Sequence, residues 1–449
     1  MALQRRQQEF TVPAHSFQSD PTIIPRPEHN ISRSLISSAA LKVLYRLHEE
    51  GFQAYLVGGG VRDLLLGRQP KDFDVATDAT PEEVHALFRN SRVIGRRFRL
   101  VHVRFGQEII EVSTFRAMAG EDDHPGHYVD ESGRILRDNV FGSMQEDAFR
   151  RDFTVNALYY NIADFSVVDY VGGVADLRAG LLRLIGDPEK RFREDPVRML
   201  RAARFSAKLG FRIEEHTAAA IPRLAPLMAD IPPARLFEEV LKLFLAGHAV
   251  QTFEELLRHD LFRQLFPMTE EALAQERNDF PLNFVARALE NTDKRIREGR
   301  SVTPFFLFAV LLWEPVRQRM AKFESQGAPP AEALRLAADE VCARQLDKVA
   351  LPRRFSAPMR EIWQLQPRFE HRTAKRAYRL MAHPRFRAAY DFLVLRAGSG
   401  EADPELADFW TKMQEGDATT QQALLSTAPA EKKRRRGGRR RRKGGNAST

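Results

Sequence analysis

The stretch "YLVGGGVRDLLLGRQPKDFDVATDATPEE", residues 55–83, decides how the rest of the chain is read. It sets three glycines, an Arg-Asp pair and an Asp-Phe-Asp close together. "FQAYLV" has the apolar character of a β-strand, and Gly58, Gly59 and Gly60 break it. "VRDLLLG" reads as a short helix closed by Gly67, and "DFDVAT" as a second strand. Thr80-Pro81-Glu82-Glu83 supplies an N-cap, a proline at the first helical position and a capping-box glutamate, so a helix begins there. Asp72 and Asp74 then stand two apart on a predicted strand and point to one face. Two carboxylates on one face repel unless a cation joins them, and hard oxygen ligands suit Mg²⁺. Two such ions, roughly 3.5–4 Å apart, can activate an attacking hydroxyl and stabilise a leaving phosphate oxygen. Gly58 and Gly59 lack side chains, so a triphosphate could approach the backbone there, and Arg62 could hold a phosphate oxygen. Taken singly, the glycines are a turn and the aspartates a solvated strand edge.

Outward from this segment the pattern is mixed, then helical. Residues 1–34 are polar with several prolines and read as a flexible arm. "LISSAALKVLYRLHEEG" reads as a helix ending at Gly51. "LVHVRF" and "EIIEVSTF" flank Gly106-Gln107, a hairpin with a two-residue turn. Residues 117–134, rich in Gly, Asp and His, read as a mobile loop. "SMQEDAFR" is a capped helix, and "SVVDYVGG" and "GLLRLIGD" are short strands. After about residue 190 helical periodicity takes over and no strand is expected. The fold class is therefore α+β, a small mixed sheet followed by an all-helical region. The expected domains are a head over 35–190, a helical neck over 191–265, a helical body over 266–414, and a linker with a tail over 415–449.

The chain has 449 residues, too many for one hydrophobic core. No stretch approaches the ~20 apolar residues of a membrane span, and the N-terminus lacks the apolar run of a secretory signal. The single cysteine, Cys342, can form neither a disulfide framework nor a cysteine-based zinc site, which fits a reducing cytoplasm. The tail "EKKRRRGGRRRRKGGNAST", residues 431–449, holds ten of the 69 basic residues and one of the 60 acidic ones, so the net charge of +9 resides there. Such a segment cannot bury apolar surface and is expected to be disordered. It suits a polyanion, with nucleic acid favoured over a membrane-surface or purely solubilising role.

With Gly-Gly-x-Val-Arg-Asp followed by Asp-x-Asp, the opening stretch resembles the first motif of the nucleotidyltransferase superfamily related to DNA polymerase beta. In particular it resembles the bacterial class shared by poly(A) polymerases and CCA-adding tRNA nucleotidyltransferases. "RRDFTVNALYY", 150–160, is similar to that class's second motif. There Arg151 can bind phosphate, Asn156 can bond a ribose hydroxyl, and by analogy Asp152 completes the acidic site. Glu111, in "IIEVSTFR", is a rival third carboxylate or a polar member of a half-exposed strand. "DYVGGVADLRAGLLRLIGD" resembles the class's hinge motif, with Gly172 and Gly173 giving backbone freedom. "REDPVRMLRAARFSAKLGF", 193–211, resembles the base-reading motif. Asp195 and Arg198, three apart on a predicted helix, can read a base's pairing edge, and Arg198, Arg201 and Arg204 form a basic stripe suited to triphosphate. As an isolated segment that stripe would be an ordinary solvated face.

"VIGRRFRLVHVRFG", 93–106, resembles the segment that separates bacterial poly(A) polymerases from CCA-adding enzymes, and the basic tail suits arbitrary RNA 3′ ends. The likeness covers about residues 29–265, and more loosely runs to about 396. It implies a cytoplasmic enzyme that adds AMP from ATP to single-stranded RNA 3′ ends without a template. Pyrophosphate would be released, Mg²⁺ would be bound, and RNA decay, with possible decay-protein partners, would be promoted. A CCA-adding enzyme and a non-catalytic RNA-binding protein are the alternatives. "RHDLF" carries His259-Asp260, a pair used by metal-dependent phosphohydrolases, but the further ligands such a site needs are missing.

Overall fold

Alternating apolar residues and short capped helices build the described part of the head around an eight-stranded sheet. The computed structural model describes residues 20–95, 99–117, 127–129, 135–138, 140–274 and 280–427. In chain order the head contains β1 (Thr22–Ile24), α1 (Ser38–Glu49), β2 (Ala54–Val57), α2 (Gly59–Leu65), β3 (Asp74–Thr77), α3 (Pro81–Leu87), β4 (Ser91–Ile94), β5 (Leu100–Phe105) and β6 (Glu108–Thr114). It continues with β7 (His127–Val129), β8 (Ile135–Asp138), α4 (Met144–Arg150), β9 (Leu158–Asn161), β10 (Val167–Asp169) and α5 (Gly173–Ala179). Among the described residues eight strands form one mixed sheet in the order β1-β10-β9-β2-β3-β6-β5-β4, with β3 and β6 parallel. The mixed sheet and helical body match the α+β reading. The capping box at Thr80 and Glu83 forms as expected, and Phe105 pairs with Glu108 across the Gly106-Gln107 turn, where Gly106 has φ +61°.

Register places one row of residues across the sheet: Tyr159, Val57, Asp74, Glu111, His102 and Arg92 are successive partners. Directly paired residues project to the same side. On that side Val57, Ala76, Phe115, Ala148, Tyr159 and Val168 form a core that includes α4. The opposite side carries α1, whose buried residues are Ala39, Ala40, Val43, Leu44 and Leu47. The site face is thus closed by apolar packing at the α4 end and polar towards β6 and β5.

Several expectations are corrected. Only Gly58 breaks the strand. It has φ +72°, a conformation L side chains rarely adopt, while Gly59 and Gly60 are the first residues of α2. Asp72 lies before β3, not on it. Residues 20–34, read as part of a flexible arm, contribute β1, which pairs with β10 more than 140 residues away. The Gly/Asp/His-rich segment 117–134 contains β7, which pairs with β8 just beyond it as a separate two-stranded sheet; residues 118–126 and 130–134 lie outside the described residues. A short strand does occur past residue 190: β12 (Arg212–Ile213) runs parallel to β11 (Leu181–Leu182).

Helices α6 (Pro188–Glu194), α7 (Val197–Leu209), α8 (Glu215–Leu224) and α9 (Pro233–Phe244) follow the head. A second compact unit begins at Met268. Its core includes Phe369, Leu380, Tyr390, Phe409 and Trp410. The segment read as a linker contains a helix, Ala418–Thr427, whose Leu424 and Leu425 pack on that core. The basic tail lies outside the described residues.

Candidate active site

Asp74 opens β3 with Glu111 of β6 as its direct register partner. Burial pushes the Asp74 carboxyl up to about 6, the charges of Glu111 and Asp72 push the same way, and Arg151 opposes them. Asp72 is exposed just outside the strand. His102 on β5 places Nε2 3.5 Å from the Glu111 carboxylate. Glu111, the rival third carboxylate, is therefore the one the sheet sets beside Asp74.

Asp152 belongs to a different cluster. Arg201 of α7 donates to its Oδ2 at 2.6 and 2.8 Å. Asn156 Nδ2 donates to Oδ1 at 3.2 Å, and the Phe153 amide does so at 2.8 Å. Burial alone would raise its pKa, but Arg201 and these donors outweigh burial and hold it down to about 2. Asn156 accepts in turn from Arg62 Nη1 at 2.5 Å. Arg62 is 2% exposed and also bonds Asp63, so its guanidinium faces the protein's own polar groups and not open solvent. Arg151 donates to Asp147 and to the Tyr159 hydroxyl, which is also a donor to Asp147. Gly58 lies against this arrangement: a Cβ there would meet Arg151 Nη1 at 3.7 Å.

Asp195 and Arg198 do not share a helix. Asp195 is the residue after α6, with φ −151°, and α7 starts at Val197. The intervening Pro196 is the signal that marks this: a residue before proline is disfavoured in helix. Arg235 of α9 donates to Asp195 Oδ2 at 2.9 Å, whereas Arg198 donates to the Arg191 carbonyl and to Glu194. Among the described residues, Asp195 Oδ1 and Arg235 Nη1 are buried without a hydrogen-bond partner, as are the Nε atoms of Arg191 and Arg204. Burial, then the charge of Arg198, pushes Arg191 down to about 10; burial and Arg201 lower Arg204. Arg191 Nη2 holds the Arg150 and Arg151 carbonyls at 2.5 and 2.7 Å. Arg191, Glu194 and Arg235 escaped sequence reading because each sits in an ordinary amphipathic helix; Asp147 and Tyr159 read as plain helix and strand members.

The site thus has two halves of opposite sign: clustered carboxylates at the sheet, and on the helices guanidiniums that are ion-paired to Glu194, Asp152 and Asp195 yet keep buried donors unused on Arg191, Arg204 and Arg235. Among the described residues no three His, Cys, Asp or Glu side chains gather to hold a metal. His259 is buried beside Glu255 and is not part of such a set.

Three family models match the chain: the poly(A) polymerase head domain over 54–183, a probable RNA- and SrmB-binding site of polymerase A over 210–273, and the polymerase A arginine-rich C-terminus over 326–443. Poly(A) polymerase I of Salmonella typhi is 52% identical, covering 90% of this chain and 88% of its own. The chain belongs to the bacterial poly(A) polymerase family. A CCA-adding enzyme from Lactobacillus helveticus is 42% identical, but over only 49% of this chain. The crystal structure of the Bacillus stearothermophilus CCA-adding enzyme in complex with CTP has a TM-score of 0.58 at 25% identity, covering 86% of this chain and 90% of its own. The sequence likeness to the poly(A) polymerase therefore spans 90% of this chain, against 49% for the Lactobacillus helveticus CCA-adding enzyme. No described helix is long and apolar enough to cross a membrane.

Proposed function

We propose that this chain is a poly(A) polymerase that transfers AMP from ATP to the 3′-hydroxyl of RNA, without a template. The 3′ oxygen bonds the α-phosphorus, the bond to the bridging oxygen of the β-phosphate breaks, and pyrophosphate leaves. The observation that carries the reading is the two-signed site in a chain 52% identical to a poly(A) polymerase over 90% of its length.

The carboxylate half fits Mg²⁺, which binds through one or two carboxylates completed by substrate phosphates. Asp72 and Asp74 would hold it, with Glu111 beside them, and the ion would supply charge neutralisation at both the attacking and the leaving oxygen. Burial of Asp74 beside two like charges is the electrostatic mark of such a place. The guanidinium half suits the triphosphate. Arg191 and Arg204 each keep a buried donor unused, and Arg151 stands beside both Asp74 and the glycine turn. Asp152 acts as a positioning residue: it aligns Arg201 and Asn156, and through Asn156 reaches Arg62. Asp195 Oδ1 is an unsatisfied acceptor suited to adenine's exocyclic amine, and Arg235 fixes its carboxylate. Chemistry of this type needs positioning and charge neutralisation more than covalent help.

In a bacterial cell the added tails would promote RNA decay. Pyrophosphate release from ATP, dependent on added RNA and Mg²⁺, tests the assignment. It is expected in the full chain and absent in folded Asp72→Ala and Asp74→Ala. Full activity in either variant contradicts it.

A further inference from the structure

Outside the site, a strongly basic stretch stands in the second unit. Residues 368–387, "RFEHRTAKRAYRLMAHPRFR", carry seven Arg or Lys side chains and one acid, Glu370. At their centre is an eight-residue helix, Ala374–Met381. Its buried residues are Ala377 and Leu380. Helical spacing puts Lys375 and Arg379, one turn apart, on the opposite side, with Tyr378 next to them. Both cations are exposed. Tyr378 is 45% exposed, high for a large ring. Of the flanking cations, Arg387 pairs with Asp391 at 3.1 Å and Arg385 with Glu361 at 3.4 Å. Arg372, just before the helix, lies over the Phe409 ring and keeps its charge at the surface.

Exposed cations beside an exposed aromatic ring form a charged track with a stacking platform, the arrangement that binds single strands without sequence preference. We propose that the solvent face of helix 374–381 is a docking surface for single-stranded RNA. Lys375 and Arg379 take phosphates, and a base stacks on Tyr378. This rests on the proposed function only for the choice of RNA as ligand. It assigns to a folded helix part of the RNA grip that the sequence places in the basic tail.

The test measures affinity of the full chain for an unstructured labelled RNA at several salt concentrations, without nucleotide, for the wild type, K375A/R379A, Y378A and Y378F. Each single-strand phosphate contact contributes a slope of about −0.7 in log K against log salt, so the double variant should be flatter by about 1.4. Y378A should bind roughly 5- to 150-fold more weakly with its slope kept, and Y378F should bind like the wild type. The RNA KM should rise in K375A/R379A and Y378A while kcat and the ATP KM hold, because these residues lie outside the head and neck. A wild-type slope in the double variant, or equal loss in Y378F and Y378A, overturns the proposal. Those results with normal AMP addition sink this inference alone; a wild-type chain that adds no AMP sinks the proposed function instead.

Discussion

Asp74 and Asp152 are both partly buried carboxylates, yet their surroundings push their acidities in opposite directions. Asp74 is raised to about 6 by burial and like charge. Folding therefore favours its protonated form, and ionised Asp74 weakens the apo fold. That cost is complete above pH 6 and vanishes below about 4. Asp152 is lowered to about 2, so its stabilising share is complete above about pH 4 and is lost as pH falls towards 2. Without Mg²⁺ at pH 7.5, Asp74→Asn should raise unfolding free energy by up to about 3 kcal/mol, and Asp152→Asn should lower it by roughly 2 kcal/mol. At pH 4.5 the Asp74→Asn gain should shrink to roughly a third. Denaturant titrations at the two pH values check both signs, and a destabilised Asp74→Asn would mean that its charge is already compensated within the protein. For Asp195, replacement by Ala should reduce the preference for ATP over other nucleotides by roughly 1–3 kcal/mol, read as ratios of kcat/KM. Lost activity with unchanged selectivity would make Asp195 a support for Arg235 only.

At the level of elements, local signals were legible and distant ones were not. The capping box at Thr80, the capped helix of "SMQEDAFR" and the Gly106-Gln107 hairpin are encoded within a few residues, and they form as read. β1 has no such code; it exists because Val167–Asp169 offers an open edge far along the chain. Near the site, spacing reads Asp72 and Asp74 as two positions of one strand, but only Asp74 lies on β3, and its neighbour Glu111 depends on parallel pairing of β3 with β6, which no short motif records. The hinge glycines show the same divide. Gly172 has φ +77°, a need for left-handed backbone visible from its type. Gly173 is fixed by close approach: a Cβ would fall 2.2 Å from the Thr154 carbonyl oxygen. It is a packing contact between α5 and the second motif, not a source of freedom. Gly173→Ala should therefore cost roughly 3 kcal/mol, and Gly172→Ala about 1 kcal/mol. Denaturation midpoints of the two variants decide it, and equal losses would restore the hinge reading.

For the molecule as a whole, charge distribution and chemistry separate cleanly in sequence. The motifs of the candidate site end before residue 212, and the +9 net charge resides in residues 431–449. Truncation after residue 430 should weaken RNA binding and spare the chemical step. If about half of the ten tail cations engage, log K against log salt flattens by roughly 3 to 4 units. An unchanged slope would leave the whole RNA grip to the folded units. Adenylate addition to any RNA end can be read on one gel. A labelled, unstructured RNA unrelated to tRNA is incubated with the full chain, Mg²⁺ and each nucleoside triphosphate separately. Long, heterogeneous extension is expected with ATP and little with CTP, GTP or UTP. Addition of a few cytidines with CTP alone, or extension confined to tRNA-like ends, would contradict it.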